Sequence, residues 1–226
     1  NLVRRVEDGA ERRLQYDIDG HLVTDGPFQL VWNGNGRLEE RIGPDGRERF
    51  GWDSQGRLVA YERTGSDPTT VEYGYSPDGL LELRRQDGVT ELFTWDREGP
   101  LATLIEIAET TGQRYRRYLY HGLQAVAEQD ESGAVVHHVR DRLGSLRLRV
   151  SADGTVLERF DYGPFGERLE GSASPVGYTG GYTDVATGFV FLRSRWYAPD
   201  HARFLSRDSA PILDDDPRSA NRYSYA

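Results

Sequence analysis

The sequence predicts an all-β protein that is built from consecutive antiparallel β-hairpins. Three observations support this fold class: a repeated unit that pairs an aromatic residue with a later Gly, apolar and polar residues that alternate on both sides of the unit, and turn signals about every 10 residues. The chain is rich in the residues that such hairpins need, with 26 Gly, 13 Tyr, 8 Phe and 4 Trp among 226 residues.

The repeated unit is a Tyr or Trp that is followed directly by Asp, Asn or Ser and four positions later by Gly, and it occurs five times. Asp or Asn directly follows the aromatic residue in four copies, and its side chain can accept backbone hydrogen bonds and start a tight turn. Gly at the fourth position supplies the positive φ that closes such a turn beside a bulge. The unit therefore predicts hairpin turns at Tyr16–Gly20, Trp32–Gly36, Trp52–Gly56, Tyr75–Gly79 and Trp95–Gly99.

The segment Leu101–Thr111 is the one stretch whose apolar spacing fits a helix. Leu101, Leu104 and Ala108 would share one helical face. The alternative is a longer strand pair that breaks near Gly112. We favour the strand pair because hairpins precede and follow this segment.

Composition excludes several classes of chemistry. The chain has no Cys, so it has no disulfide, no thiolate nucleophile and no Cys-bound metal. Its net charge of −9 argues against a general nucleic-acid partner, and no apolar run is long enough for a membrane-spanning helix. His137 and His138 would point to opposite faces of a strand and could not bind one metal ion together. We therefore expect no metal, no cofactor, no nucleic-acid partner and no membrane span.

The repeated hairpins resemble the YD repeats of RHS proteins, teneurins and the C component of insecticidal Tc toxin complexes. Motifs in the second half of the chain resemble the RHS-associated core, so the resemblance covers essentially the whole sequence. This sequence departs from the core pattern at Ala198, at Ala202 where the family has Gly, and at Ser209. The segments that match core elements are Arg140–Arg147, Arg159–Glu167, Tyr178–Pro199, Arg203–Asp208 and Asn221–Tyr225.

The resemblance implies a fold in which the hairpins form a spiralling strip of antiparallel sheet, as part of a hollow shell with a C-terminal RHS core plug. It assigns residues 1–136 to a YD-repeat β-hairpin region and residues 137–226 to an RHS-associated core domain. In toxin members the shell encloses a C-terminal toxic polypeptide. The implied partners are this toxin cargo, further shell repeats of the same parent chain, and a delivery or secretion component. The implied location is outside the producing bacterial cell.

The resemblance also implies a candidate site for self-cleavage at Arg207 and Asp208. Some family members cut themselves by chemistry like that of aspartic proteases, which needs two carboxyl groups close enough to share a proton. The second carboxyl is not identified, because Ser224 occupies the position where the family has Asp. The alternative role for Arg207 and Asp208 is a buried ion pair that fixes the plug. The acids that could replace the second Asp are Asp200, Asp214, Asp215 and Asp216.

Two expectations about function follow. The first is a shell and plug segment that encapsulates a toxic polypeptide and can cleave itself, and the second is an extracellular module that recognises a glycan or a cell-surface partner. Because the chain lacks Met and stops before the C-terminal elements of the family, we expect it to be part of a longer parent protein.

Overall fold

The computed structural model describes residues 2–7, 10–111, 114–210 and 221–225. Within these residues every regular element is a β-strand or a short 3₁₀ turn, so the predicted all-β fold class is confirmed. The described residues form two compact units, one from Asn1–Glu72 with Arg203–Ala226 and the other from Tyr73–Ala202. The division between residues 136 and 137 follows sequence motifs instead, and it stays a prediction.

The first unit is a strip of hairpins. Its strands follow chain order, and each runs antiparallel to the next. This is the arrangement that the repeated unit predicts. The strands are β1 (Leu2–Glu7), β2 (Ala10–Tyr16), β3 (Leu22–Asp25), β4 (Phe28–Trp32), β5 (Leu38–Gly43), β6 (Gly46–Trp52), β7 (Leu58–Arg63) and β8 (Thr69–Tyr75), whose last three residues belong to the second unit, with β22 (Arg203–Phe204) near the end of the chain.

The second unit continues the same pattern through eight antiparallel strands, β9 to β16, and adds short strands from the core motifs. Strand β11 covers most of Leu101–Thr111, so the strand interpretation of that segment is confirmed. The strands are β9 (Leu81–Gln86), β10 (Val89–Asp96), β11 (Thr103–Glu109), β12 (Tyr115–His121), β13 (Gln124–Asp130), β14 (Val135–Arg140), β15 (Leu146–Ser151), β16 (Val156–Arg159), β17 (Asp161–Tyr162), β18 (Arg168–Glu170), β19 (Tyr182–Thr183), β20 (Val190–Phe191) and β21 (Trp196–Ala198).

The same type of tight turn closes four of the five repeated hairpins. In the third copy, the Gly56 amide donates to the Asp53 carbonyl at 3.1 Å, and the Asp53 amide donates to the Arg57 carbonyl at 3.0 Å. Asp53 Oδ1 accepts the amides of Gln55 and Arg57, both at 2.9 Å, as expected for an Asp that starts a turn. Four of the five repeat glycines have positive φ, and Gly99 is the exception.

The same turn recurs in the described residues at four positions outside the five predicted copies. Three of these turns lack the aromatic residue, which is why aromatic-to-Gly spacing does not predict them. Asp or Ser with Gly three positions later is the signal that would have predicted those three. In each turn the Gly amide donates to the carbonyl of the first turn residue; the turns are Asp130–Gly133, Asp141–Gly144, Ser151–Gly154 and Gly163–Gly166.

The Trp of each Trp-containing repeat bonds to the previous strand. The strand register shifts by one residue at Trp32, Trp52 and Trp95, which marks a β-bulge at the aromatic position. The indole Nε1 then donates to the carbonyl of a Leu on the preceding strand, and these leucines are all but fully buried. The three bonds are Trp32 to Leu22 at 2.8 Å, Trp52 to Leu38 at 2.7 Å and Trp95 to Leu81 at 2.6 Å.

Within the second unit, a buried carboxylate in one core motif accepts hydrogen bonds from side chains on strands β8 and β9. Asp184 is 0% exposed and accepts hydrogen bonds from the Tyr73 hydroxyl and from Arg84 Nε, both at 2.7 Å. The Ala186 amide also donates to Asp184, at 2.9 Å. Burial and the neighbouring carboxylate raise the pKa of the Tyr73 phenol, so its hydroxyl stays protonated and donates.

Replacing Asp53 tests the turn. Asp53→Ala removes the acceptor of two amides and should lower the free energy of unfolding by about 1 kcal/mol. Asp53→Asn should lower it less at pH 7, because an Asn side chain still accepts the two amides, as Asn33 does in the second repeat, and only the ion pair with Arg57 is lost. Urea unfolding of the two variants measures both effects, and equal losses in them would contradict this role.

The pH dependence of the same variants provides a second measurement. Partial burial raises the pKa of the Asp53 carboxyl, but hydrogen bonds and charge from Arg57 outweigh it and hold the pKa below its usual value of 3.8. The stabilisation from ionised Asp53 is therefore fully present above pH 3.8 and is lost as the pH falls through the lower folded-state value. The advantage of the natural chain over Asp53→Asn should shrink between pH 6 and pH 2.5.

Ala202 occupies a backbone position that favours glycine. Its φ is 54° and its ψ is 38°, in the left-handed region, and the family pattern has Gly there. A left-handed L-residue costs about 1–2 kcal/mol, part of which Gly loses again as chain entropy. Ala202→Gly should therefore raise the free energy of unfolding by up to about 1 kcal/mol. Ala134→Gly, at a position without positive φ, is the control and should lower the free energy of unfolding. If both variants lower the free energy of unfolding, the prediction for Ala202 is wrong.

Candidate functional site

Arg207 and Asp208 lie in the first unit, directly after β22, along the turn of the second repeat. The Arg207 amide donates to the Gly36 carbonyl at 3.0 Å, and the Leu38 amide donates to the Leu205 carbonyl at 2.9 Å. The Asp208 amide donates to the Arg222 carbonyl at 2.9 Å. The backbone of this segment is therefore held on both sides, by the repeat turn and by the segment Asn221–Tyr225.

The side chains of the two predicted site residues have different surroundings. Arg207 is exposed and lines a cleft, whereas the half-buried Asp208 accepts the Ala210 amide on Oδ1 at 2.8 Å. Arg222 Nη2 donates to the Asp208 carbonyl at 2.6 Å. Self-cleavage is not tested by these contacts and stays a prediction, whereas the alternative of a buried ion pair between Arg207 and Asp208 is wrong, because Arg207 is exposed and forms no ion pair with Asp208.

The second carboxyl group remains unassigned. Asp214, Asp215 and Asp216 lie outside the described residues. Ser224, which occupies the family's Asp position, donates its hydroxyl to the Asn221 carbonyl at 3.1 Å. Asp200 lies in the second unit, in a short 3₁₀ turn beside His201.

The cleft is a cavity of about 920 Å³ within the first unit. Hairpin turns bring one side of it together, because the turns of the first two repeats both line it. The other side comes from the end of the chain and carries three arginines. The turn residues are Asp17, Asp19, Gly20, His21, Asn33, Gly34 and Gly36; the strand aromatics are Tyr16 and Trp32; and the C-terminal residues are Arg203, Arg207, Asn221, Arg222 and Tyr223.

Gly36 and Tyr223 join the two sides. The buried Tyr223 hydroxyl donates to the Gly36 carbonyl at 3.0 Å. A Cβ on Gly36 would lie 2.4 Å from that hydroxyl oxygen, and the φ of Gly36 is +71°. Only Gly satisfies both the turn and this close approach.

Stacked rings form one wall of the cleft. His21 stacks on Trp32 with a centroid distance of 5.3 Å, and Tyr223 meets Trp32 edge-on at 5.0 Å. His21 Nδ1 lies 2.8 Å from Asp17 Oδ2. Partial burial raises the pKa of the Asp17 carboxyl, but hydrogen bonds from His21 outweigh it and hold the pKa below its usual range. The ring positions are therefore fixed by the turn of the first repeat.

The arginines give the other wall its charge. The Arg203 guanidinium lies over the Tyr16 ring at 5.2 Å, and its Nη2 is 3.3 Å from the Tyr16 hydroxyl. Its Nε and Nη1 atoms are buried and have no hydrogen-bond partner in the described part of the chain. Burial lowers the pKa of Arg203 and raises the pKa of the Tyr223 phenol to about 12. The wall is thus a partly desolvated cationic surface.

Asp17, Asp19 and His21 also bring three potential ligand atoms within 4.8 Å of one another. Asp17 is already engaged, since Oδ1 accepts the amides of Asp19 and His21 and Oδ2 faces the His21 ring. The three residues therefore form a turn with its own internal bonds, and we assign no metal site to it.

A second polar cluster lies in the second unit, in a row across strands β12 to β15. His137 is exposed and His138 is buried, so the prediction that they face opposite ways is confirmed. His138 Nδ1 accepts from Arg140 Nη2 at 3.1 Å, which leaves Nε2–H directed towards Glu128 at 3.4 Å. Burial raises the pKa of Glu128, but His138, Arg116 and Arg149 outweigh it and lower the pKa. The cluster has the contacts of a buried structural network.

Sequence reasoning identified Arg207 as a site residue but missed Arg203, Tyr223 and Gly36 as its neighbours. All three lie within recognised motifs. Nothing in their local sequence indicates that residues 187 positions apart meet, as Tyr223 and Gly36 do.

No helix in the part of the chain that the structure describes is long and apolar enough to cross a bilayer.

Comparison with known proteins places these features in a family context. The family model described as Teneurin YD-shell matches residues 1–226. The tRNA3(Ser)-specific nuclease WapA of Bacillus spizizenii is 22% identical over 231 residues, which are 99% of this chain and 10% of WapA. Toxin protein Tse5 of Pseudomonas aeruginosa is 26% identical over 268 residues, which are 98% of this chain and 18% of Tse5.

A solved structure shares the fold. The crystal structure of TcdB2-TccC3 superimposes with a TM-score of 0.53 at 18% identity, and the match covers 99% of this chain and 12% of that one. The chain therefore spans less than a fifth of the length of WapA, of Tse5 and of the TcdB2-TccC3 chain.

Proposed function

This chain belongs to the Teneurin YD-shell family, and on that premise we propose that it is a wall segment of a shell that encloses a toxic C-terminal polypeptide of its parent protein. One observation carries the proposal: in each unit, consecutive hairpins pair antiparallel in the order of the chain. The same chain also contains the RHS-core motifs. The names of its relatives, a nuclease and a toxin protein, support a toxin parent. Its partners would be the cargo, further shell repeats and a delivery component that takes the parent out of the producing cell.

A half-exposed apolar face in the second unit supports contact with a cargo polypeptide. Leu92, Leu119 and Val139 are 45%, 49% and 46% exposed, and strand pairing places them on one face of the sheet. Their chain neighbours Phe93 and Tyr118 are buried on the opposite face. A sheet with apolar side chains on both faces suits a wall whose inner surface holds an unfolded chain.

Encapsulation predicts that the C-terminal polypeptide resists protease while the shell is intact. In the full-length parent it should survive protease concentrations that digest the same polypeptide expressed alone. Trp52→Ala, which removes an inter-strand bond and a large side chain, should shorten this survival at least several-fold, whereas the exposed Glu62→Ala should not. Equal digestion of the enclosed and isolated polypeptides would refute encapsulation.

We further propose that Asp208 takes part in self-cleavage of the parent. In such a step a carboxylate removes a proton from water, the water oxygen attacks the peptide carbonyl, the C–N bond breaks and the leaving amine takes up a proton. Arg207, which lines the adjacent cleft, orients the segment to be cut, and a second carboxyl group gives the leaving amine its proton.

Asp208→Asn in the full-length parent should abolish processing on denaturing gels, because an amide cannot accept the proton from water. Asp153→Asn, at an exposed turn of the second unit, is the matched control and should leave processing unchanged. Normal processing of Asp208→Asn would remove Asp208 from the mechanism without affecting the proposed shell role.

A further inference from the structure

We propose that the cleft of the first unit binds a carboxylate side chain of an extended polypeptide, with Arg207 as the direct contact and Arg203 as a fixed positive charge behind it. This inference goes beyond the shell role and does not depend on self-cleavage, because Asp208 does not line the cleft.

Two cations in the cleft, Arg203 and Arg207, have no carboxylate within ion-pair distance in the described part of the chain. Most arginines of the described strands pair with Asp or Glu, as Arg41 does with Glu48 and Arg84 with Asp184. Among the described residues, Arg203 and Arg207 are in no ion pair, although both line the same cavity. Charges without partners next to a cavity favour an anion in that cavity.

The burial of Arg203 also favours an anion in the cleft. Two of its guanidinium nitrogens are buried without a hydrogen-bond partner in the described residues, and its third lies 3.3 Å from the neutral Tyr16 hydroxyl. The Tyr16 ring and the charge of Asp25, which is itself paired with Arg12, compensate the guanidinium only in part, and a buried charge without full compensation costs free energy. A negative charge in the cleft would offset this cost through a region of low dielectric, while the exposed Arg207 is free to bond to it.

The charges around the cleft favour a single carboxylate over a ligand with several phosphate groups. Asp17 and Asp19 stand on the opposite wall, and the whole chain has a net charge of −9. These two carboxylates and the net negative charge of the chain would both repel a ligand with many negative charges. A group with one negative charge can approach the arginines at a smaller cost.

The volume and the mixed lining of the cleft favour a polypeptide as the ligand. A volume of about 920 Å³ exceeds what one carboxylate group fills and is typical of sites for ligands with several groups. Tyr16, Trp32 and Tyr223 supply apolar surface, and Asn33 and Asn221 supply neutral amide groups that can bond to a peptide backbone. An extended peptide with one acidic side chain matches this mixture.

The test uses this 226-residue chain and two synthetic peptides, acetyl-Gly-Glu-Gly-amide and acetyl-Gly-Gln-Gly-amide, with binding followed by NMR shifts of the protein amides. The Glu peptide should bind about tenfold more tightly than the Gln peptide, and its advantage should decrease with added salt. The shifts should map to the turns of the first two repeats.

Arg207→Gln should remove the preference for Glu, and Arg203→Lys should weaken it, since Lys keeps the charge but not the reach and planarity of the guanidinium. Arg142→Gln, which changes an exposed arginine in a turn of the second unit, is the control and should bind like the natural chain. Arg207 is exposed, so its variant is expected to fold.

Equal binding of the two peptides, or an Arg207→Gln variant that keeps the preference, would overturn the proposal. Inorganic phosphate is the competing probe. If phosphate binds the cleft more tightly than the Glu peptide and displaces it, the site is a phosphate site and the carboxylate assignment is wrong.

Discussion

The tight turn that follows the aromatic residue in four of the five repeats is the constraint on which the rest of this structure depends. Its geometry combines a side-chain acceptor at the first position, such as Asp53, with a left-handed Gly at the fourth, such as Gly56. The turn fixes the register of the hairpin, and the bulge beside it re-aims the aromatic side chain. Because the bulge sets where the indole points, Trp52 reaches the carbonyl of Leu38 on the preceding strand.

This repetition lets a chain with few large apolar clusters build an extended sheet. Each turn returns the chain antiparallel, each indole donates to a Leu carbonyl on the preceding strand, and each of those leucines is buried. The same turn closes hairpins at Asp141 and Ser151, within the predicted core domain of residues 137–226. In its turns, the predicted core domain is therefore partly a continuation of the repeat.

Many charges of the sheet are paired, whereas two arginines of the candidate site form no ion pair with a described residue. Arg41 bonds to buried Glu48, which also accepts the Tyr61 hydroxyl at 2.7 Å, and burial with the adjacent carboxylate raises the pKa of that phenol. Asp184 is compensated by Arg84 in the second unit. Arg203 and Arg207 differ from these, since no carboxylate of the described residues forms an ion pair with them, and both line the first-unit cleft.

The sequence alone determined the elements whose causes are local. Turns that depend on Asp and Gly at a fixed spacing were predicted at Tyr16–Gly20 and Trp52–Gly56, and the neighbouring hairpins were enough to decide between helix and strand at Leu101–Thr111. Turns without an aromatic residue were missed because the aromatic is needed for packing and not for the turn itself. Only the tertiary structure decided the site, because Arg203 meets Tyr16 and Tyr223 meets Gly36 across 187 residues of chain. Contacts at that separation depend on how strands stack and how close a Gly backbone lets a phenol approach, and no local pattern encodes either one.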